Sequence, residues 1–298
     1  MKIILTLILF SAAFLSCTDE IMEIKKSYLV TEIPKDLPLD FKSDLIPANK
    51  LIHKGTFSPD MEEYYYTISD KDFEQFSVFV INKRNGKWSE PKRAFFDSEY
   101  SEHGMSFSPD GNSIFFSSTR PVNIEGISST WHIWKTEKVN GIWTEPMFVD
   151  IPNLRNKLVS HPTITNSGKI YFHSSNLDYS EMAVYHSQLK DGLYEDARKT
   201  IISSPSEIGT CTPYVSPEED YLIFASIGNQ LDLMISFSDG SGGWINAKKL
   251  NTKINKLGQG NPYVTPDNRF LFFTTGDHSG KNWKVNWVDI QSELEYDL

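Results

Sequence analysis

The sequence predicts an all-β fold: a β-propeller of five blades, each of four antiparallel strands, with the last blade closed by a strand from near the N-terminus. Three observations predict it. A turn of the Ser-Pro-Asp-Gly type recurs five times, each copy is followed by an alternating strand carrying an aromatic, and a further short strand and a Gly-spacer-aromatic segment follow in the same order. Taking Tyr66, Phe116, Phe172, Phe224 and Phe273 as markers, the interval is about fifty residues, which is the length and strand content of one blade.

The turns are "FSPD" at 57–60, "FSPDG" at 107–111, "ITNSG" at 164–168, "VSPEED" at 215–220 and "VTPDN" at 264–268. Pro presets φ, Asp folds its carboxylate onto nearby backbone N–H groups, and Gly accepts positive φ, so Asp60, Asp110 and Asp267 are read as turn-formers rather than as catalytic acids. Alternation after each turn buries one face of the second strand. The third strands are "SVFVIN", "WHIWKT", "MAVYHS", "LDLMIS" and "WKVNWV". Trp88, Trp143, Tyr194 and Trp244 then recur once per blade at one phase, as packing between neighbouring blades requires; a platform for stacking sugars is the other reading. The fifth unit lacks this last segment, so residues near 44–50, whose Pro47 matches the place of Pro91, are expected to form the outer strand of the last blade and cover its open edge.

The copies around "FSPDGNSIFFSSTR" resemble the WD40-like propeller repeats of the TolB family, over residues 50 to 298. The resemblance implies the propeller fold with the turn between the two innermost strands. TolB propellers have six blades and an additional N-terminal domain, so their partner contacts are not carried over.

Ahead of the propeller, residues 1–16 carry Lys2 and a short apolar run from Ile3 to Leu15, the form of an export signal too short to span a bilayer. The run ends in Phe14-Leu15-Ser16-Cys17, which resembles the lipobox of bacterial lipoproteins, although Phe14 stands where Leu is usual. Acylation of Cys17 would hold the chain at a membrane, the outer membrane being favoured, by acyl burial alone. Residues 17–40 read as a polar lipid-anchored tether and 41–298 as a single propeller domain, so that removing 18–38 is expected to leave stability unchanged.

The chain has 298 residues, 39% of them hydrophobic, and a formal net charge of -10, which suits a folded domain and argues against a nucleic-acid partner. Function in a propeller sits where the repeat stops repeating. Residues three or four before each turn column should meet at one channel mouth. They give His53, His103, His161, Thr212 and Asn261 as ligand-binding candidates, with Glu102 alongside. Imidazoles from consecutive blades could hold a metal, act as acid or base, or bind a polar ligand. Arg120, Arg155 and Lys157 sit in long loops that could overhang the same region. No nucleotide loop, nucleophile elbow or metal-ligand spacing is present, so no cofactor, metal or catalytic residue is assigned. The expected function is a monomeric cell-envelope module that binds a protein or glycan. The alternative is a carbohydrate-active enzyme, hydrolase or lyase, at the channel mouth, which would need a facing pair of carboxylates if it is a hydrolase.

Overall fold

The computed structural model describes residues 20–298, apart from 48, 204–208, 277–282 and 296–298. Cys17 and the export signal lie outside the described residues. Among the described residues, no helix is long and apolar enough to cross a membrane.

Five antiparallel sheets follow one another along the chain as the blades of a propeller. Their innermost strands are Leu51–Phe57, Glu102–Phe107, Leu158–Ile164, Thr210–Val215 and Gln259–Val264. Each pairs with its successor across one of the five turns. In the second turn Ser108 Oγ donates to Asp110 Oδ1 at 2.6 Å, and the Asn112 backbone N–H donates to the same oxygen at 3.1 Å. These bonds, the Ser108 bond foremost, hold the Asp110 carboxyl below its ordinary range. Asp60 and Asp267 make the same pair of contacts. Asp110→Ala should therefore cost about 1 kcal/mol of folding stability, read from a denaturant melt, and leave any ligand affinity unchanged.

The recurring aromatics sit between blades, as the repeat implied. Trp143 stacks on Phe95 with ring centroids 5.4 Å apart, in a cluster built from blades one and two. Tyr194 packs with Phe115 at the boundary of blades two and three, and Trp244 meets Tyr171 of blade three edge-on at 6.0 Å. Trp88 joins the large cluster shared by blades four, five and one. Each ring thus packs toward the preceding blade, which couples neighbours that share no strand.

The ring closes through the N-terminal segment, but earlier in the chain than the repeat suggested. Leu39–Asp40 pairs antiparallel with Lys284–Asp289, placing Leu39 opposite Trp287, and the Phe41 N–H adds a bond to the Val285 carbonyl at 2.8 Å. None of the described residues among 44–50 belongs to that strand; Ser43–Leu45 is a single 3₁₀ turn. The reading of residues up to 40 as a polar tether also fails for its described part. Residues 20–28 are helical, and Ile24, Tyr28 and Phe41 are buried in the closing core. The physical reason is an aromatic socket: Tyr28 meets Phe57, Phe270 and Trp287 at 5.3–5.5 Å, and Phe41 meets Phe57, Tyr64, Phe272 and Trp287 at 4.9–5.8 Å. Two rings set among polar residues were enough to bring a low-hydrophobicity segment into the fold.

Candidate functional site

All five innermost strands break register just before the turn, two or three residues ahead of the column in blades two to five and three or four ahead in blade one. The shifts lie between Ile52 and Gly55, His103 and Ser106, Ser160 and Thr163, Cys211 and Tyr214, and Gly260 and Tyr263. The residues three before each column are Lys54, Gly104, His161, Thr212 and Asn261. The last four take φ values of 61°, 57°, 44° and 55°. Left-handed backbone is costly for His and more so for β-branched Thr, and a bulge re-aims the side chain it carries. Five register shifts, four of them carrying left-handed backbone, form a ring about the axis.

Ring neighbours touch. A Cβ on Gly104 would meet His161 Cδ2 at 3.1 Å, so this position takes a residue with neither side chain nor left-handed strain. The His161 N–H donates to Ser117 Oγ at 2.9 Å, and the Asn261 N–H to Thr212 Oγ1 at 3.4 Å. The Thr212 N–H donates to His173 Nδ1 at 3.2 Å. A backbone N–H can only donate, so neutral His173 must carry its proton on Nε2.

The imidazoles form a chain. His103 and His161 lie with centroids 4.5 Å apart, and His161 stacks on His173 at 4.8 Å. Half-exposed rings flank them: Trp131 is 4.1 Å from His103, and Phe76 lies 5.2 Å from His103 and 5.3 Å from His53. His53 also meets Trp283 at 5.0 Å and bonds Ser69 Oγ at 2.8 Å. Burial depresses all four imidazoles, His53 to about 3 and His173 to about 4, with His103 and His161 well below their ordinary value. In His103 and His161, burial is reinforced by the neighbouring imidazoles and by Lys54. They are neutral at pH 7. Lys54, itself buried, is lowered by desolvation to about 7.

The structure therefore brings together His53, His103, His161, Thr212 and Asn261, and adds His173, Lys54 and the aromatic flank. It does not bring Glu102. That carboxylate is fully buried and consumed by Ser98 N–H and Oγ, Ser118 Oγ and Arg120 Nε at 2.6–3.1 Å. Beside it the Asp97 carboxyl is pushed above its ordinary range by burial and by Glu102 itself. Consecutive strand residues face opposite ways, so Glu102 and His103 serve different surfaces. Arg120 is spent on Glu102, Arg155 pairs with Asp150, and Lys157 bonds Asn176. None of these loop cations is left to serve the mouth. His173 was visible in the repeat: it follows the marker aromatic where the other blades carry Thr67, Ser117, Ala225 and Thr274.

No described carboxylate acts on any of the four imidazoles or on Lys54. Among the described residues, no group of three or more His, Cys, Asp or Glu has the geometry to hold a metal ion. The opposite end of the channel is chemically different. There Pro59, Pro109, Pro217 and Pro266 of the turns, with Phe57, Phe107 and Tyr263, line a mainly apolar cavity of about 170 Å³.

No family model and no curated protein sequence matches the chain. Among solved structures it is similar to TolB from Acinetobacter baumannii, with 13% identity, 82% of this chain and 55% of that one covered, and a TM-score of 0.52. The chain thus spans little more than half of that relative. A putative TolB from Agrobacterium tumefaciens aligns at 13% identity over 87% of this chain and 86% of its own, with a TM-score of 0.51. A GH43 endo-arabinanase from Bacillus licheniformis aligns at 14% identity over 82% of this chain and 95% of its own, with a TM-score of 0.53. Identities this low speak to the fold alone, and the fold is the propeller these proteins share.

Proposed function

We propose that this chain is an exported, lipid-anchored propeller that binds a glycan of the cell envelope at the histidine end of its central channel, without catalysing its cleavage. The single observation that carries the glycan is the juxtaposition of half-exposed Phe76, Trp131 and Trp283 with the imidazoles of His53 and His103, beside the hydroxyl and amide of Thr212 and Asn261. Sugars present C–H faces that suit aromatic rings and hydroxyls that need fixed polar partners. A protein partner is the competing ligand, and the hydrolase-like fold keeps an enzyme in view. Hydrolysis of a glycosidic bond ordinarily needs two carboxylates flanking it. Glu102, the acid nearest in sequence, is buried in its own network. The reading of an envelope location rests on the lipobox-like "FLSC".

The test is a glycan array probed with the chain starting after Cys17, beside a pull-down from membrane extract. The expected result is retention of a defined glycan that falls at least tenfold in His103→Ala/Trp131→Ala, with the melting profile preserved. Retention of a protein and no glycan would reassign the partner. Appearance of shortened glycan products would replace the binding reading with the enzymatic one.

A further inference from the structure

Within the ring, Lys54 is the one charged side chain that no described group answers. It is 5% exposed, and its amine makes no ion pair or hydrogen bond with any described residue. Its field reaches His103 and His161, which belong to the next two blades, so it acts across the channel rather than at the rim. A cation taken from water without a partner is expensive, and buried charges are ordinarily paired. The described groups on which it acts are the neutral imidazoles of His103 and His161. These can donate hydrogen bonds to an anion but cannot balance a charge.

On the glycan-binding reading above, we infer that the ligand is an acidic sugar whose carboxylate is received by the Lys54 amine and the imidazole N–H groups of the bulge ring. Three features select this class. The cluster holds one cation, so it matches one negative charge, as a uronate carries, better than the two that a phosphate monoester approaches at neutral pH. The imidazoles supply fixed N–H donors: His173 must present Nε2–H because its Nδ1 already accepts from Thr212. The Asn261 side chain acts on His161, and its buried Oδ1, which makes no hydrogen bond within 3.5 Å to a described residue, is left to accept from a sugar hydroxyl beside the carboxylate. The aromatic flank then covers the C–H face of the ring that bears the acid. An anion arriving here pairs with the lysine in a site that water reaches poorly, where such a bond is stronger than in solution.

The measurement is calorimetric titration of the purified full-length chain in detergent with three probes: an oligogalacturonate, the same oligosaccharide with its carboxyls reduced to alcohols, and a short peptide with a free C-terminal carboxylate. The expected result is that the acidic oligosaccharide binds at least tenfold more tightly than its reduced form, and that Lys54→Met removes this difference while leaving the weaker neutral-sugar binding in place. Equal affinity for acidic and reduced sugar, or an acid preference that survives Lys54→Met, overturns the carboxylate assignment and leaves glycan binding standing. Failure of both sugars to bind, with or without capture of the peptide, overturns the glycan reading together with the inference built on it.

Discussion

A chain that begins at residue 42 should not give a cooperatively unfolding monomer. It loses Ile24, Tyr28 and Phe41 from the closing core, and with them contacts that no blade can replace: Phe41 alone lies within 6 Å, centroid to centroid, of Phe57, Tyr64, Phe272 and Trp287. Truncating one buried aromatic costs about 3–5 kcal/mol, and a domain of this kind is stable by only about 5–15 kcal/mol in all. The same truncation strips Leu39–Asp40 from Lys284–Asp289, leaving the outer edge of the last blade open for pairing with another chain. Gel filtration should show aggregate, and the thermal transition should be lost. Removing 18–38 alone deletes Tyr28 but spares the strand, and should lower the melting temperature without abolishing it. A melting profile identical to that of the full chain would show that the blades close without this segment.

The contrast between the two ends of that prediction explains what could be read in the sequence. The turns were legible because Pro, Asp and Gly act locally: Ser108, Asp110 and Asn112 satisfy one another within five residues, and no distant partner is needed. The interblade aromatics followed from their phase. The closing strand was misplaced because a two-residue strand has no period, and Pro47 imitated the spacing of a blade end. The helix over residues 20–28 buries only Ile24 and Tyr28, an i, i+4 pair too small to stand out from the polar residues around it. In the site, the repeat placed His103, His161, Thr212 and Asn261 at one channel mouth. What it could not fix was direction. The register shift that turns Lys54 and His161 into the channel is a backbone event, and the network that withdraws Glu102 depends on Ser98 and Arg120 from separate loops.

Lys54→Met should make the protein more stable at neutral pH, a result opposite to that of most core substitutions. Lys54 is charged in both the folded and unfolded chain below about pH 7, so there the fold bears the whole cost of burying it. Between about 7 and its ordinary value of 10.5 the unfolded chain holds a proton that the folded chain has released, and stability should rise with pH across that window. The gain from Met is on the order of 4 kcal/mol near pH 6.5 and should shrink toward zero by pH 10. His53, His103, His161 and His173, of which His103 and His161 feel the amine, titrate elsewhere. Their folded values are depressed, so the stability they withdraw as pH falls is lost below about 6.5 in both proteins, less so in the variant, where His103 and His161 no longer feel the lysine. Denaturant melts of both proteins at pH 6.5, 8 and 10 separate the two contributions. If Lys54→Met instead destabilises the protein at every pH, the amine is neutralised within the fold and needs no anion from outside. The expected outcome has a sharper meaning: a residue that weakens the fold by several kcal/mol is tolerated where binding requires it, and the stabilised variant should be the one that no longer distinguishes an acidic sugar from a neutral one.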